Sequence, residues 1–274
     1  MKYNAYAKVN LILKVVDKYD NGYHRLQMLN AKIDLHDEIN IEKNNLCEDR
    51  LFFLNSNLDS AKDNLMLRVL RKLKGHYNIE DNFDIYIRKE IPIGAGLGGG
   101  SCDAGCIINA ILSLYNIKED LDALSKMFSS DGADIPYALT NKMAFVDGIG
   151  DEVFEVDYIY DKDFVIVNPN IFISTKDIFT NNKKFTNVLT KESIINDVKI
   201  NGYNVFCNDL EEACFSVNND LKKIKDELMK IGYASMSGSG STFMVFGEDV
   251  DYIYKECKNK FPTYFVKKVK VIKE

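Results

Sequence analysis

The sequence predicts an α+β fold in two halves, with a ligand cleft between them. Strand and helix patterns fall into separate runs, first strands and then helices. After roughly residue 155 the pattern restarts with a new apolar strand, Phe164-Val165-Ile166-Val167. A length of 274 residues holds two domains of ordinary size, expected at 1–155 and 156–274.

The first strand, over residues 6–16, alternates. Ala7, Val9, Leu11, Leu13 and Val15 share one face, and Lys8, Asn10 and Lys14 share the other. In isolation the polar side of such a strand is a solvated sheet face. Asp20-Asn21-Gly22 is a tight-turn signal and is followed at once by Tyr23 and His24. These two either decorate a turn or reach into a cleft, where a Tyr can stack on a nucleobase and a His can hydrogen-bond a base edge. Strands are expected over 38–42 and 83–89, with a helix over 65–73 between them.

The stretch Pro92-Ile93-Gly94-Ala95-Gly96-Leu97-Gly98-Gly99-Gly100-Ser101-Cys102 has five glycines in seven residues. A helix is expected at 104–115, from Ile107, Ile108, Ile111, Leu112 and Tyr115. A loop free of Cβ atoms that opens into a helix N-terminus offers unpaired N–H groups and a positive dipole end, which suits phosphate. A further helix at 121–128 precedes Asp131-Gly132-Ala133-Asp134-Ile135-Pro136. Pro136 fits the first turn of a helix and Asp134 its N-cap, while Asp131 reads as an ordinary capping residue. A hairpin pairs 143–146 with 153–156.

In the second half, Ser174-Thr175 begins a short helical patch carrying Phe179, which alone reads as a core residue. Helices are expected near 190–199, 208–215 and 221–231, with Asn208 as an N-cap and Gly232 as a C-cap. Ser237-Gly238-Ser239-Gly240-Ser241-Thr242 lies between strands 233–236 and 243–246, which alone reads as a tight hairpin, and a last strand is expected at 265–271.

Three kinds of glycine loop compete. A Walker loop needs a lysine after its glycines, and none follows. A protein-kinase loop needs His-Arg-Asp and Asp-Phe-Gly signatures, and neither occurs. A dinucleotide fingerprint fits Gly94, Gly96 and Gly99, but the acids at its expected distance, Glu119 and Asp120, open a helix rather than end a strand. A nicotinamide-dependent oxidoreductase therefore stays open as an alternative at this point.

Pro92-x-x-x-Gly96-Leu97-Gly98-Gly99-Gly100-Ser101 resembles the ATP loop of the GHMP kinases, which include galactokinase, homoserine kinase and mevalonate kinase. The triple glycine resembles one branch, the 4-diphosphocytidyl-2-C-methyl-D-erythritol kinases. Ala7-Lys8-Val9-Asn10-Leu11 is similar to that branch's opening strand, Gly22-Tyr23-His24 to its cytidine-recognition segment, and Gly132-Ala133-Asp134-Ile135-Pro136 to the motif holding its catalytic Asp. The position of Phe179 resembles that of an aromatic closing on the cytosine, and Ser237–Thr242 resembles a glycine motif facing the cleft.

The resemblance implies a two-domain GHMP-kinase-like fold with the active site between the domains. It implies ATP-dependent phosphorylation of the 2-hydroxyl of the cytidine-diphosphate substrate in non-mevalonate isoprenoid precursor synthesis. Lys8 and Asp134 would be catalytic, Pro92 through Cys102 would bind ATP, and Asn10, Tyr23, His24 and Phe179 would bind substrate. Asp134 would accept the hydroxyl proton, or position the hydroxyl, while Lys8 eases the developing charge. Mg²⁺ would bridge the ATP phosphates, with Ser101 and water as its candidate ligands. A homoserine or mevalonate kinase and a non-catalytic nucleotide binder are the rivals within the fold; Gly22-Tyr23-His24 argues against the first, and the joint presence of Lys8 and Asp134 against the second. Cys102 departs from the branch's usual Ser and would be a weaker phosphate donor, with a thiol pKa lowered by the helix end. Gly105 stands where Ala is usual.

Composition bounds the rest. Hydrophobic residues make up 46% and charged residues 28%, with a net charge of −6, which describes a soluble globular chain. The absence of a sustained basic stripe argues against duplex nucleic acid as a partner. No signal-type segment opens the chain and no apolar run approaches a membrane span, so a cytoplasmic monomer or weak homodimer is expected. Six cysteines without a Cys-x-x-Cys pair, and only three histidines, argue against a zinc site and against a disulfide framework.

Overall fold

Two long strands, β1 (Lys2–Lys18) and β2 (His24–Asn44), form an antiparallel hairpin around which the molecule is built. The computed structural model describes residues 1–58, 60 and 63–273. The hairpin turn is closed by the Tyr19 N–H on the Tyr23 carbonyl at 2.8 Å, with Gly22 at φ +87°. β3 (Arg50–Phe53) and β4 (Asn82–Arg88) extend the sheet beyond β2, and the hairpin β5 (Ala144–Asp147) and β6 (Glu152–Glu155) pairs with the inner half of β2.

One face of this sheet is covered by α1 (Leu65–Tyr77), α2 (Gly99–Leu114) and α3 (Leu121–Phe128), whose apolar residues pack on Ile39, Ile41, Phe83, Ile85 and Ile87. The period of 3.6 puts Met66, Leu67, Val69, Leu70 and Leu73 on the buried side of α1, and Asn64 caps it by accepting from the Met66 N–H. The one-turn helix α4 (Ile135–Ala138) follows α3.

The other face carries Ala7, Val9 and Leu11, which meet a second, antiparallel sheet through Phe164, Ile166, Met244 and Phe246. That sheet consists of β7 (Phe164–Asn168), β9 (Tyr233–Met236), β10 (Phe243–Phe246) and β11 (Phe265–Val269), in the order β11-β7-β10-β9. Its far side, with Val165, Val167, Phe243 and Val245, packs on α7 (Glu211–Val217), α8 (Asn219–Leu228) and α9 (Val250–Lys260). The result is an α+β stack of helices, sheet, sheet and helices. α5 (Thr175–Asn181) and α6 (Lys191–Asn201) occupy the connection between β7 and the two-residue strand β8 (Cys207–Asn208). The proposed division after residue 155 separates the two sheets except that β8 joins β1 in parallel and Val271 bridges to Ile33.

Beyond the unexpected strand β3 and the earlier start of β1, three differences bear on the cleft. β2 runs for 21 residues instead of five, because Gln27, Asn30 and Lys32 are buried polar residues that break its apolar pattern. α2 begins at Gly99, five residues early, with Gly98 at φ +66° as its left-handed cap. Asn208 lies in β8 and is not an N-cap; α7 starts at Glu211.

Candidate active site

Lys8 projects from the middle of β1 to the side covered by α2, and it is buried rather than solvated. Its Nζ donates to Asn10 Oδ1 at 2.9 Å and lies 3.3 Å from Asp134 Oδ1. Asp134 occupies the N-cap position of α4 yet makes no capping hydrogen bond, so its carboxylate, 36% exposed, is directed to Lys8 and the cleft. Asp131 is spent differently. It pairs with Lys72 at 2.7 Å and Arg68 at 3.8 Å, both on α1, and so fixes the turn that carries Asp134.

Asn10 organises the floor. Its Nδ2 donates to Asn30 Oδ1 at 2.7 Å, and its backbone N–H donates to Ser237 Oγ at 3.2 Å. Ser237 Oγ in turn donates to the Gly96 carbonyl at 3.0 Å, so the first strand, the glycine loop and the 237–242 loop are tied at one point. Asn30 Nδ2 is buried and has no acceptor among the described residues. It lies under the strand pair, next to Asn10, as a buried donor without a partner among those residues.

The closeness of these segments dictates glycine at two places. A Cβ on Gly96 would stand 2.3 Å from the Ser237 carbonyl oxygen, and one on Gly98 would stand 2.8 Å from Lys8 Cγ. Both residues also have positive φ, +73° and +66°, which disfavours other L residues.

The first helical bond of α2 runs from the Cys102 N–H to the Gly98 carbonyl at 2.8 Å. The N–H groups of Gly99, Gly100 and Ser101 precede it, at the positive end of a sixteen-residue helix. Gly100 is exposed, and nothing lies within 4 Å of where its Cβ would be. The Ser101 hydroxyl faces the Asp134 turn, 3.9 Å from the Cβ position of Gly132. The other loop residues serve as fasteners. Ala95 and Leu97 are buried, and their carbonyls accept from Thr242 N–H at 3.2 Å and Lys8 N–H at 3.0 Å. Pro92 is half-buried, Ile93 is exposed, and Gly94 lies against the ring of Phe172.

A buried ionic knot seats this loop. Lys89 Nζ bridges Asp37 at 2.5 Å and Asp103 at 2.6 Å, and Asp37 also accepts from the Glu90 and Ile91 N–H groups at 2.6 and 2.9 Å. The knot links the end of β4 to the first turn of α2. Burial, with Asp37 adding its charge, raises the Asp103 carboxyl well above the usual range despite Lys89. Burial alone would lower Lys89, but the two carboxylates outweigh it and hold it above its ordinary value.

A second cluster lies around His24. The His24 ring stacks on Phe179 at 5.3 Å and 30°, and on Phe185 at 6.1 Å and 20°, while Tyr23 beside it is 59% exposed. Burial, aided by the charge of Lys18, lowers the His24 pKa. Phe179 is half-buried on α5, and it reaches His24 as well as the core. Asp209, buried, accepts from Val15 N–H and the Thr186 hydroxyl and pairs with Lys184 at 3.0 Å, which pins the segment carrying Phe185. Asn208 holds the 237–240 loop by donating to the Met236 and Gly238 carbonyls, both at 2.8 Å.

Profiles of two domains match the chain in order: the GHMP kinases N terminal domain over residues 64–142 and the GHMP kinases C terminal domain over residues 191–263. A 4-diphosphocytidyl-2-C-methyl-D-erythritol kinase of Finegoldia magna is 34% identical over 277 residues, covering 97% of this chain and 98% of that protein. The chain belongs to the 4-diphosphocytidyl-2-C-methyl-D-erythritol kinase family. A second such kinase, of Clostridium tetani, is 32% identical over 284 residues, covering 98% and 99%. A crystal structure of 4-(cytidine 5'-diphospho)-2C-methyl-D-erythritol kinase aligns with a TM-score of 0.82 at 26% identity over 98% of this chain and 99% of that one. A homoserine kinase from Cytophaga hutchinsonii, at 16% identity and a TM-score of 0.73 over 99% and 94%, shares the fold.

Set beside the family's pattern, two expectations need correction. Cys102 offers phosphate neither its thiol nor its N–H: the side chain is buried beneath α2, the N–H is used within the helix, and burial pushes the thiol pKa up rather than down. The dinucleotide alternative fails because a Rossmann unit needs a parallel strand–helix–strand crossover, whereas β4 pairs antiparallel with β2 and α2 leads into further helices and the antiparallel β5. All six cysteines are free, and no helix among the described residues is long and apolar enough to cross a membrane.

Proposed function

We infer that the space between Lys8, Asp134 and the N-terminus of α2 is where ATP phosphorylates the 2-hydroxyl of 4-(cytidine 5'-diphospho)-2-C-methyl-D-erythritol, giving the 2-phosphate and ADP. As a family member the chain is an ATP-dependent phosphotransferase with an alcohol acceptor, acting in isoprenoid precursor synthesis. The observation that carries the site assignment is the uncapped Asp134 carboxylate 3.3 Å from the buried Lys8 ammonium. An N-cap Asp that declines its cap gives up about 1 kcal/mol of helix stability, and the cleft is where that side chain is used.

The open N–H groups of Gly99, Gly100 and Ser101 would bind the phosphates of ATP. The substrate hydroxyl would sit against Asp134, which orients it and takes its proton as the oxygen attacks the γ-phosphorus. Lys8, steered by Asn10, would sit beside the charge that develops there. Asn30, which accepts from Asn10 Nδ2, would hold Asn10 in that orientation. Tyr23, Phe179 and His24 would receive the cytosine, two rings for stacking and an imidazole for its edge.

Among the described residues no cluster of three acidic, His or Cys side chains forms a metal cage. Mg²⁺ fits nonetheless, since it keeps several waters and binds through substrate phosphates, and the Ser101 hydroxyl on the Asp134 side gives it an oxygen neighbour. When bound it would offset charge between the transferring phosphates. We take the enzyme to act as a monomer or weak homodimer, and we place it in the cytoplasm, where ATP and cytidine nucleotides are found.

The test is ADP release with ATP, Mg²⁺ and this substrate. Wild type turns over, and Asp134→Asn loses on the order of 10²–10⁴ in kcat. Unimpaired turnover by Asp134→Asn would reduce that residue to a helix cap.

A further inference from the structure

Lys32 stands beside Lys8 in the register of β1 and β2, and both side chains emerge beneath α2. Lys8 has Asp134. Lys32, 2% exposed, has only neutral acceptors: the carbonyls of Tyr6 at 3.3 Å and Ala138 at 3.4 Å, and the thiol of Cys102 at 3.6 Å. Its Nζ also lies 5.7 Å from the centre of the Tyr137 ring. Among the described residues no carboxylate comes within ion-pair distance of it. Burial keeps the Cys102 thiol protonated, so it supplies no countercharge. An ammonium buried without an anion is costly, and the cost is relieved when an anion arrives.

The space for one is present. Lys32 lines a cavity of about 180 Å³ under α2, at the edge of β1 that β8 leaves open, since β8 covers only Ile12 and Leu13. Tyr3, Asn4, Tyr6, Asn109, Asn141 and the thiols of Cys102 and Cys106 complete the polar part of its wall, and no acidic side chain is among them. Liquid water takes roughly 30 Å³ per molecule, so the cavity holds a small ion with some of its hydration. Neither Lys8, Asp134 nor Ser101 lines it.

We propose that this cavity binds a small oxyanion, a phosphate or carboxylate group, paired to Lys32 and hydrogen-bonded by the amides and phenols of its wall. Gly99, Gly100 and Ser101 do not line the site, but Cys102 does, and so does Ala138, the last residue of α4, whose N-cap is Asp134.

The experiment uses the full-length chain with its catalytic cleft filled by a non-hydrolysable ATP analogue and Mg²⁺. Inorganic phosphate and, separately, acetate are titrated at constant ionic strength against chloride, and the backbone amide resonances of Asn109 and Ala138 are followed. Saturable shifts are expected. Phosphate alone acting assigns the site to phosphoryl groups, and acetate alone acting assigns it to carboxylates. Lys32→Met weakens the affinity about tenfold or more, as loss of a charge-assisted bond does. Asn109→Asp, which supplies a carboxylate from the helix surface and leaves Lys32 in place, does the same with a native circular dichroism spectrum. Absence of saturable shifts with both anions in wild type, or equal affinity in the folded Asn109→Asp variant, overturns the proposal.

Discussion

The phosphoryl corner and the aromatic corner of the cleft are built in opposite ways. At the first, Lys8, Asn10, Gly96 and Ser237 are joined by hydrogen bonds of 2.9–3.2 Å and Lys8 pairs with Asp134 at 3.3 Å, and most of these residues are buried. At the second, His24 stacks on Phe179 and Phe185 with ring centres 5.3 and 6.1 Å apart, and Tyr23 is largely in solvent. Chemistry that depends on developing charge needs donors fixed in place beforehand, whereas recognition of a flat base needs only rings that close on it. Substitutions should therefore cost more, and act on kcat or on folding, at the first corner. At the second they should cost less and act on KM.

The largest effect is expected beneath the phosphoryl corner. Lys89→Met leaves Asp37 and Asp103 as two buried carboxylates without a cation, and should destabilise the chain by about 3–5 kcal/mol in denaturant titration. Gly96→Ala comes next. Its positive φ and the 2.3 Å approach to Ser237 predict a loss of about 2–4 kcal/mol, with ATP turnover falling in step. A knot that tolerated Lys89→Met, or a loop that accepted Ala at 96, would dissolve the contrast between the corners.

At the aromatic corner, Phe179→Ala should raise KM for the cytidine substrate up to about tenfold with little change in kcat, as one lost ring contact implies. A fall in kcat alone would place Phe179 in the chemistry instead.

The smallest effect is a slope. Burial holds the Asp103 carboxyl above its ordinary range, so above the ordinary carboxylate pKa the fold keeps a proton that the unfolded chain releases. The stability from this group is present below that pKa and is lost as pH rises through the folded value. Asp103→Asn has no such proton, so its stability relative to wild type should grow as pH rises from about 4, measured by urea midpoints. A difference that stayed flat with pH would show that Asp103 ionises normally.

What could be read in the sequence follows from how local each signal is. The alternation of Ala7 to Val15, the glycine run and the Asp134-Ile135-Pro136 turn are short-range patterns, and each marks a segment of the cleft. The helix start at Gly99 was hidden because glycine has poor helix propensity; tertiary packing around Gly98 and the knot at Asp103 impose the turn. The knot itself joins residues 37, 89 and 103, which no local pattern connects. Phe185 and Asn30 were missed for the same reason. Asn30 interrupts β2 as a polar residue whose partner, Asn10, is visible only once the strands are paired. The place of Cys102 at a helix N-terminus suggests a weak phosphate donor with a lowered thiol pKa, whereas the helix turns that side chain inward to Lys32 and burial raises it.

The most direct test of the account is a double-mutant cycle on the Lys8–Asp134 pair, read as the single-turnover rate of phosphoryl transfer with ATP bound. If the two act as one unit, Lys8→Met with Asp134→Asn should lose little more than the worse single variant. Losses that multiply would mean that the two residues work independently, and the 3.3 Å pair would then not be the centre of this site.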